Sequence, residues 1–391
     1  MNTINILSID GGGVKGLIPS QILYRIEEEL LKPNSKTLYT YFDVFAGSSA
    51  GSMIIGALVY KQASGTDLIT KYMTPENIQY IMPKLHPPSN YVNETSGTVL
   101  LTLVVLTIFI GLIVSHEEKR LNITTLGLGV SIVVMVIVYA LLLFVIWLYP
   151  PKYPGGPKKH MINSFVGDTL VGDTSKDVFI TSYDITIQRP VFFRSWDPIT
   201  NGYNIAEVID ASSAAPNFYP AVQIISKGGG NGSADPNSQP NSDYYIDGGV
   251  TTNNPTNGVY AYIIDKYKAN VDTTKFNILS LGCGYELDLN STKTASKNWG
   301  ALTWLLSGNF QLFIGNEQTV TYIVQQFADA RGDGYLRIDG QLTSSNNTLD
   351  NTDLTNLQEL IQTGNKWFDT NICKLCTFFE VPIPSTYTCK Y

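Results

Sequence analysis

The chain has 391 residues and a formal net charge of −7, with 15% charged against 44% hydrophobic residues. It has no basic tract, so nucleic acid is not an expected partner, and its length is within the reach of a single α/β fold. The shortage of charge is local: Thr98 to Tyr149 holds four charged side chains, Glu117, Glu118, Lys119 and Arg120, all in one short turn.

Asn5 to Ile9 reads as a buried strand. Leu17 to Leu31 reads as a helix, with Ile18, Ile22, Ile26 and Leu30 at every fourth position. Tyr41 to Ala46 reads as a second strand and Ser52 to Lys61 as a second helix. This alternation predicts an α/β fold with a mostly parallel central sheet covered by helices. The opening segment has neither a basic n-region nor an apolar h-region, so no signal peptide is expected there. Tyr80 to Ser96 is rich in Pro, Asn and Ser and reads as a linker.

Two uncharged apolar runs follow, Thr98 to Val114 with 17 residues and Thr124 to Tyr149 with 26. A helix needs roughly 20 apolar residues to cross the hydrocarbon core, so residues 98–149 are expected to form a two-span transmembrane hairpin. An even number of crossings would leave both halves of the remaining chain, about residues 4–80 and 155–345, on one side as a single discontinuous catalytic domain. The flanking Lys152, Lys158 and Lys159, set against Lys119 and Arg120 in the turn, tilt that side toward the cytosol. Beyond the runs, Val178 to Ser182, Val191 to Ser195 and Phe276 to Leu281 read as strands. Ile205 to Ala215 reads as a helix ended by Pro216, and Ser226 to Asp243 as a loop. Leu302 to Ala330 reads as helical with a break near Gly308, and Leu354 to Phe368 as a last helix before a tail that ends at residue 391.

Of the four cysteines, Cys373 and Cys376 form a C-x-x-C. They lack the second ligand pair a zinc site uses, and reduced thiols are expected at Cys283, Cys373, Cys376 and Cys389. No metal or cofactor is expected.

Two short motifs carry chemistry. Gly47-Ser48-Ser49-Ala50-Gly51 lies between a strand and a helix, the context in which a G-x-S-x-G serine becomes a nucleophile. The helix that follows would favour negative charge at Ser49. A tight turn using glycine for backbone reasons is the plainer alternative. Asp10-Gly11-Gly12-Gly13-Val14-Lys15-Gly16 follows the first strand, and its N–H groups could face a developing oxyanion. Gly11, Gly13 and Gly16 also fit a dinucleotide fingerprint, but the acidic residue expected about 20 positions on is missing.

A serine needs a base. The three histidines, His86, His116 and His160, all precede the later half of the chain and read as surface residues, which disfavours a Ser–acid–His order. Asp247, at a strand end before Gly248-Gly249, is the better candidate, because a carboxylate beside the hydroxyl can act directly as general base. An aspartate capping its own turn is the alternative.

Together these residues resemble the patatin-like phospholipase family. Besides the two motifs and Asp247-Gly248-Gly249, Ala211-Ser212-Ser213-Ala214-Ala215-Pro216 looks like the family's A-S-x-A-x-P, and Asn253-Asn254-Pro255 follows as its N-N-P does. The resemblance spans roughly residues 4–340, apart from the apolar insertion. It implies a three-layer α/β/α fold and metal-independent hydrolysis of lipid acyl esters by a Ser–Asp dyad. Carried over by position, Ser49 would be the nucleophile and Asp247 the base. Gly11, Gly12 and Gly13 would form the oxyanion hole, and Lys15 would match a basic position there. Gly47, Gly51, Gly248 and Gly249 would shape the turns. The expected partners are a lipid bilayer and a glycerolipid substrate. Acyl transfer, or a silent lipid-binding role, is the alternative to hydrolysis.

Overall fold

A computed structural model describes residues 2–83, 134–135, 138–139, 151–225, 242–285, 317–342 and 348–389. Residues 1–83 and 153–391 form one compact unit and residues 84–152 a second. The apolar runs of 98–149 lie outside the described residues, except for Val134, Met135, Val138 and Tyr139, which are helical. Among the described residues, no helix is long and apolar enough to cross a membrane.

Among the described residues, eight strands build one mixed sheet: β1 (Asn2–Ile9), β2 (Val44–Gly47), β3 (Asp177–Asp184), β4 (Arg189–Arg194), β5 (Val222–Ile225), β6 (Ser242–Asp247), β7 (Thr274–Leu281) and β8 (Gly334–Ile338). The second half of β1 is buried on both faces, as a central strand of a parallel sheet must be. It pairs in parallel with β2 on one side and β7 on the other, and β3 and β8 extend the parallel part outward. β4 and β6 pair with β3 antiparallel, and β5 pairs antiparallel with β6.

The longer helices are α1 (Leu17–Ile26), α2 (Ala50–Tyr60), α3 (Gly155–Val166), α4 (Ile205–Ser212), α5 (Thr256–Lys266), α6 (Glu317–Arg331) and α7 (Leu354–Phe379). Alternation along β1 sends Leu7 and Ile9 into one core with α1, α2, α3, α4 and α7, while Ile4 and Ile6 enter another with α5 and α6. The sheet thus lies between two helical layers, an α/β/α arrangement.

Several boundaries differ from the sequence reading. Tyr41 is not in a strand: Thr37 caps one helical turn, Leu38–Tyr41, through a capping box, and β2 starts only at Val44. The first helix does run from Leu17 to Leu31 as expected, but its last turn, Glu27–Leu31, is π-helical. The helix expected to reach Ala215 stops at Ser212. The last helix runs on to Phe379, because Ile372, Leu375, Cys376 and Phe379 keep its buried stripe going. The cysteines also differ from expectation. Cys373 and Cys389 are joined by a disulfide, while Cys376, one turn further on the buried face, stays free, as does Cys283.

Candidate active site

The site sits where three parallel strands end together. Ile9 of β1 is level with Gly47 of β2 and with Leu281 of β7. The chain leaves β1 toward β2 on one side, and β7 arrives on the other. Such a switch point opens a crevice at the strand ends.

β2 turns into α2 through Ser48 and Ser49. The turn is so tight that a Cβ on Gly47 would stand 2.6 Å from the Gly51 carbonyl, and one on Gly51 2.3 Å from the Ile9 carbonyl oxygen. Ser49 carries φ 51° and ψ −121°, a conformation that side-chain-bearing residues rarely adopt. The strain lifts its side chain off the strand, leaving Ser49 half-buried among buried neighbours. It also places Ser49 at the N-terminus of α2, where the helix dipole favours negative charge.

Asp247 ends β6, level with Ser182 of β3. Its Oδ2 accepts the Ser49 hydroxyl at 2.7 Å, and its Oδ1 accepts the Gly249 N–H at 2.7 Å. The carboxyl is therefore fixed at both oxygens. Burial pushes it from 3.8 up to about 6, against the opposing pull of the Ser49 hydroxyl, the Gly249 N–H and the Lys158 charge. A carboxylate with its proton affinity raised toward neutrality, touching a strained serine, is equipped to take the hydroxyl proton.

The end of α4 holds both sides of this contact. Ser212 Oγ accepts the Ser49 N–H at 3.0 Å, Ser212 O accepts the Gly248 N–H at 3.2 Å, and Ala214 O accepts the Asp247 N–H at 3.0 Å. The A-S-S-A-A-P run signalled this segment, but its sequence gave no hint of which atoms it would hold.

The glycine-rich loop divides its tasks. Gly11 differs from the expectation of an oxyanion donor, because its N–H is already given to Asn253 O at 3.1 Å. Its contribution is small size: a Cβ there would come 2.9 Å from Ser49 Cβ. The N–H groups of Gly12 and Gly13 meet no acceptor among the described residues, and neither does that of Ala50, the residue after the serine. Lys15 is buried, with its Nζ 3.5 Å from Gly284 O. Asp10 is buried as well and is gripped through both oxygens by Arg337, which also bonds Asp339 at 2.8 Å. Asp10, Glu317 and Asp339 bring carboxylate oxygens within 4.8 Å of one another, but this guanidinium already bridges two of them.

Two lysine and histidine readings can be compared with the structure. Lys158, counted above as a flanking charge beside the membrane, is buried in an ion pair with Asp210 and cannot serve as one. His160 is exposed on α3, while His86 and His116 lie outside the described residues.

Comparison with known proteins gives a consistent result. The patatin-like phospholipase family matches residues 135–260. Patatin-like protein 2 of Oryza sativa subsp. indica is 25% identical over 410 residues, covering 95% of this chain and 85% of its own length. Patatin-like protein 2 of Arabidopsis thaliana is 27% identical, covering 93% and 83%, and patatin group D-2 of Solanum tuberosum is 24% identical, covering 92% and 82%. A solved structure, VipD from Legionella pneumophila, aligns with a TM-score of 0.36 at 12% identity over 96% of this chain and 66% of that one, a likeness too loose to bear on the fold. The motif order, the serine–carboxylate contact and the likeness over most of the chain support the patatin-like phospholipase family, and the protein is accordingly a carboxylic ester hydrolase.

Proposed function

We propose that this protein is a membrane-anchored serine acyl hydrolase that cleaves fatty-acyl esters of glycerolipids through Ser49 and Asp247. The observation that carries the reading is the 2.7 Å contact between Ser49 Oγ and Asp247 Oδ2 at the strained turn into α2. Asp247 accepts the hydroxyl proton as Oγ attacks the ester carbonyl. The oxyanion is met by the N–H groups of Gly12 and Gly13, with Ala50 N–H as a further donor at the helix start; each such donor contributes about 2.7–4 kcal/mol to the transition state. The leaving alcohol takes the proton from Asp247. Water then enters and gives its proton to the same carboxylate as it attacks the acyl-enzyme, and Asp247 returns that proton to Ser49 Oγ as the fatty acid leaves.

Membrane anchoring rests on the apolar runs of residues 98–149, and the cytosolic placement of the catalytic unit on the charges flanking them, now without Lys158. Deleting residues 98–149 is expected to move the protein from the membrane pellet to the supernatant.

The test of the chemistry uses the detergent-solubilised full chain, a fluorophosphonate probe and a panel of glycerolipids read by mass spectrometry of released fatty acids. Labelling at Ser49 is expected, with activity lost by at least about a thousandfold in Ser49→Ala and in Asp247→Asn. Full activity in either variant removes the dyad. Acyl chains appearing on an added alcohol rather than as free acid would mark a transferase, and no labelling at all would mark a silent lipid binder.

A further inference from the structure

The end of α4 that holds Ser49 and Asp247 is itself held by a buried charge. Lys158, from α3, is 1% exposed. Its Nζ donates to Asp210 O at 2.7 Å and to Ser213 Oγ at 3.1 Å, and lies 2.9 Å from Asp210 Oδ1. The ammonium also lies 4.6 Å from the centre of the Tyr219 ring. Two of the three N–H donors of the lysine thus have hydrogen-bond acceptors, while the Asp210 carboxylate beside it completes an ion pair in which Oδ1 accepts no hydrogen bond among the described residues. Residues 210 and 213 flank Ser212, whose hydroxyl receives the Ser49 N–H.

A buried ion pair is a poor way to gain stability, because apolar residues of similar volume usually serve as well or better. Here the charges do not balance either. Two buried carboxylates, Asp210 and Asp247, share one buried ammonium. The lysine is satisfied by Asp210, and its field also reaches Asp247. We propose that Lys158, paired with Asp210, is a positioning residue that locks the end of α4 against Ser49 and keeps the Asp247 carboxylate ionised and ready for the serine proton. This rests on the Ser49–Asp247 reading above.

Few other groups face the pair. Asp247 meets the Ser49 hydroxyl and the Gly249 N–H, and among the described residues Lys158 is the charge that acts on it. Tyr219 donates its hydroxyl to Ile81 O at 2.9 Å, and burial holds it far above the ordinary tyrosine range, so it stays neutral. Burial pulls Lys158 below the ordinary lysine range, while Asp210 and Asp247 oppose that pull.

The charge arrangement predicts shifts of opposite sign, which a merely structural role would not produce. The assay is the pH dependence of kcat/KM for a soluble short-chain ester, with the detergent-solubilised full chain. Removing the cation in Lys158→Met is expected to move the acid limb up by about one pH unit. Asp210→Asn leaves the lysine uncompensated and is expected to move the limb down. The double variant Lys158→Met with Asp210→Leu removes the ion pair as a unit, takes from Asp247 the cation that acts on it, and is expected to move the limb up. Should Lys158→Met fail to fold, the other two variants decide. An acid limb that stays in place, or shifts the same way in Asp210→Asn and the double variant, overturns the proposal. Ser49→Ala run in parallel separates the two ideas, since retained activity there would sink the dyad itself.

Discussion

The clearest consequence of the site is a conflict between stability and chemistry at Asp247. Its carboxyl stands at about 6 in the folded protein against an ordinary 3.8. A group whose folded value is raised stabilises the fold fully below its unfolded value, and that contribution disappears as the pH climbs through the folded one. The difference of roughly two units corresponds to about 3 kcal/mol, lost between about pH 4 and pH 6 and absent at pH 8. Asp247→Asn removes the ionisation with little change of shape, because the amide oxygen can accept the Gly249 N–H and the amide nitrogen can face Ser49 Oγ. The variant is expected to be inactive yet more stable than the parent at pH 8 by about 1–3 kcal/mol, and to match it within about 0.5 kcal/mol at pH 4. Equilibrium urea unfolding at the two pH values measures both differences, and titrating groups that do not interact with Asp247 cancel in the subtraction. A variant less stable at pH 8, or one whose difference is the same at both pH values, would refute the reasoning.

Other perturbations probe the frame around the pair. Gly51→Ala drives a methyl group to 2.3 Å from Ile9 O, so it is expected to lower stability by about 1–3 kcal/mol and to remove fluorophosphonate labelling of Ser49 by moving the turn. Arg337→Met strands the buried Asp10 carboxylate and is expected to lower stability by about 3–5 kcal/mol at neutral pH in the same unfolding assay. Thiol titration of the denatured, unreduced chain is expected to find two thiols, Cys283 and Cys376, with Cys389→Ser lowering stability by about 3 kcal/mol for the 16-residue separation it opens.

Features that depend on local backbone demands could be read from the residues alone. The turn at Ser49 was legible because Gly47 and Gly51 occupy positions where a Cβ would strike the chain, and such demands leave their mark within five residues. The parallel core was legible because Asn2–Ile9, Val44–Gly47 and Thr274–Leu281 carry the apolar runs of doubly covered strands. Asp247 was recognisable only through the D-G-G and the motifs around it. Its contact with Ser49 joins residues 198 positions apart, a distance no local pattern encodes. The same physics hid the rest. Lys158 read as one more flank charge until folding buried it against Asp210, 52 residues away, and Gly11 read as a donor until the chain brought Asn253 O to its N–H. Cys373 likewise paired with the tail instead of its near neighbour Cys376, because the helix turned the latter inward. Which polar groups meet, and which charges lose their water, is decided by long-range packing, so only the tertiary structure could assign them.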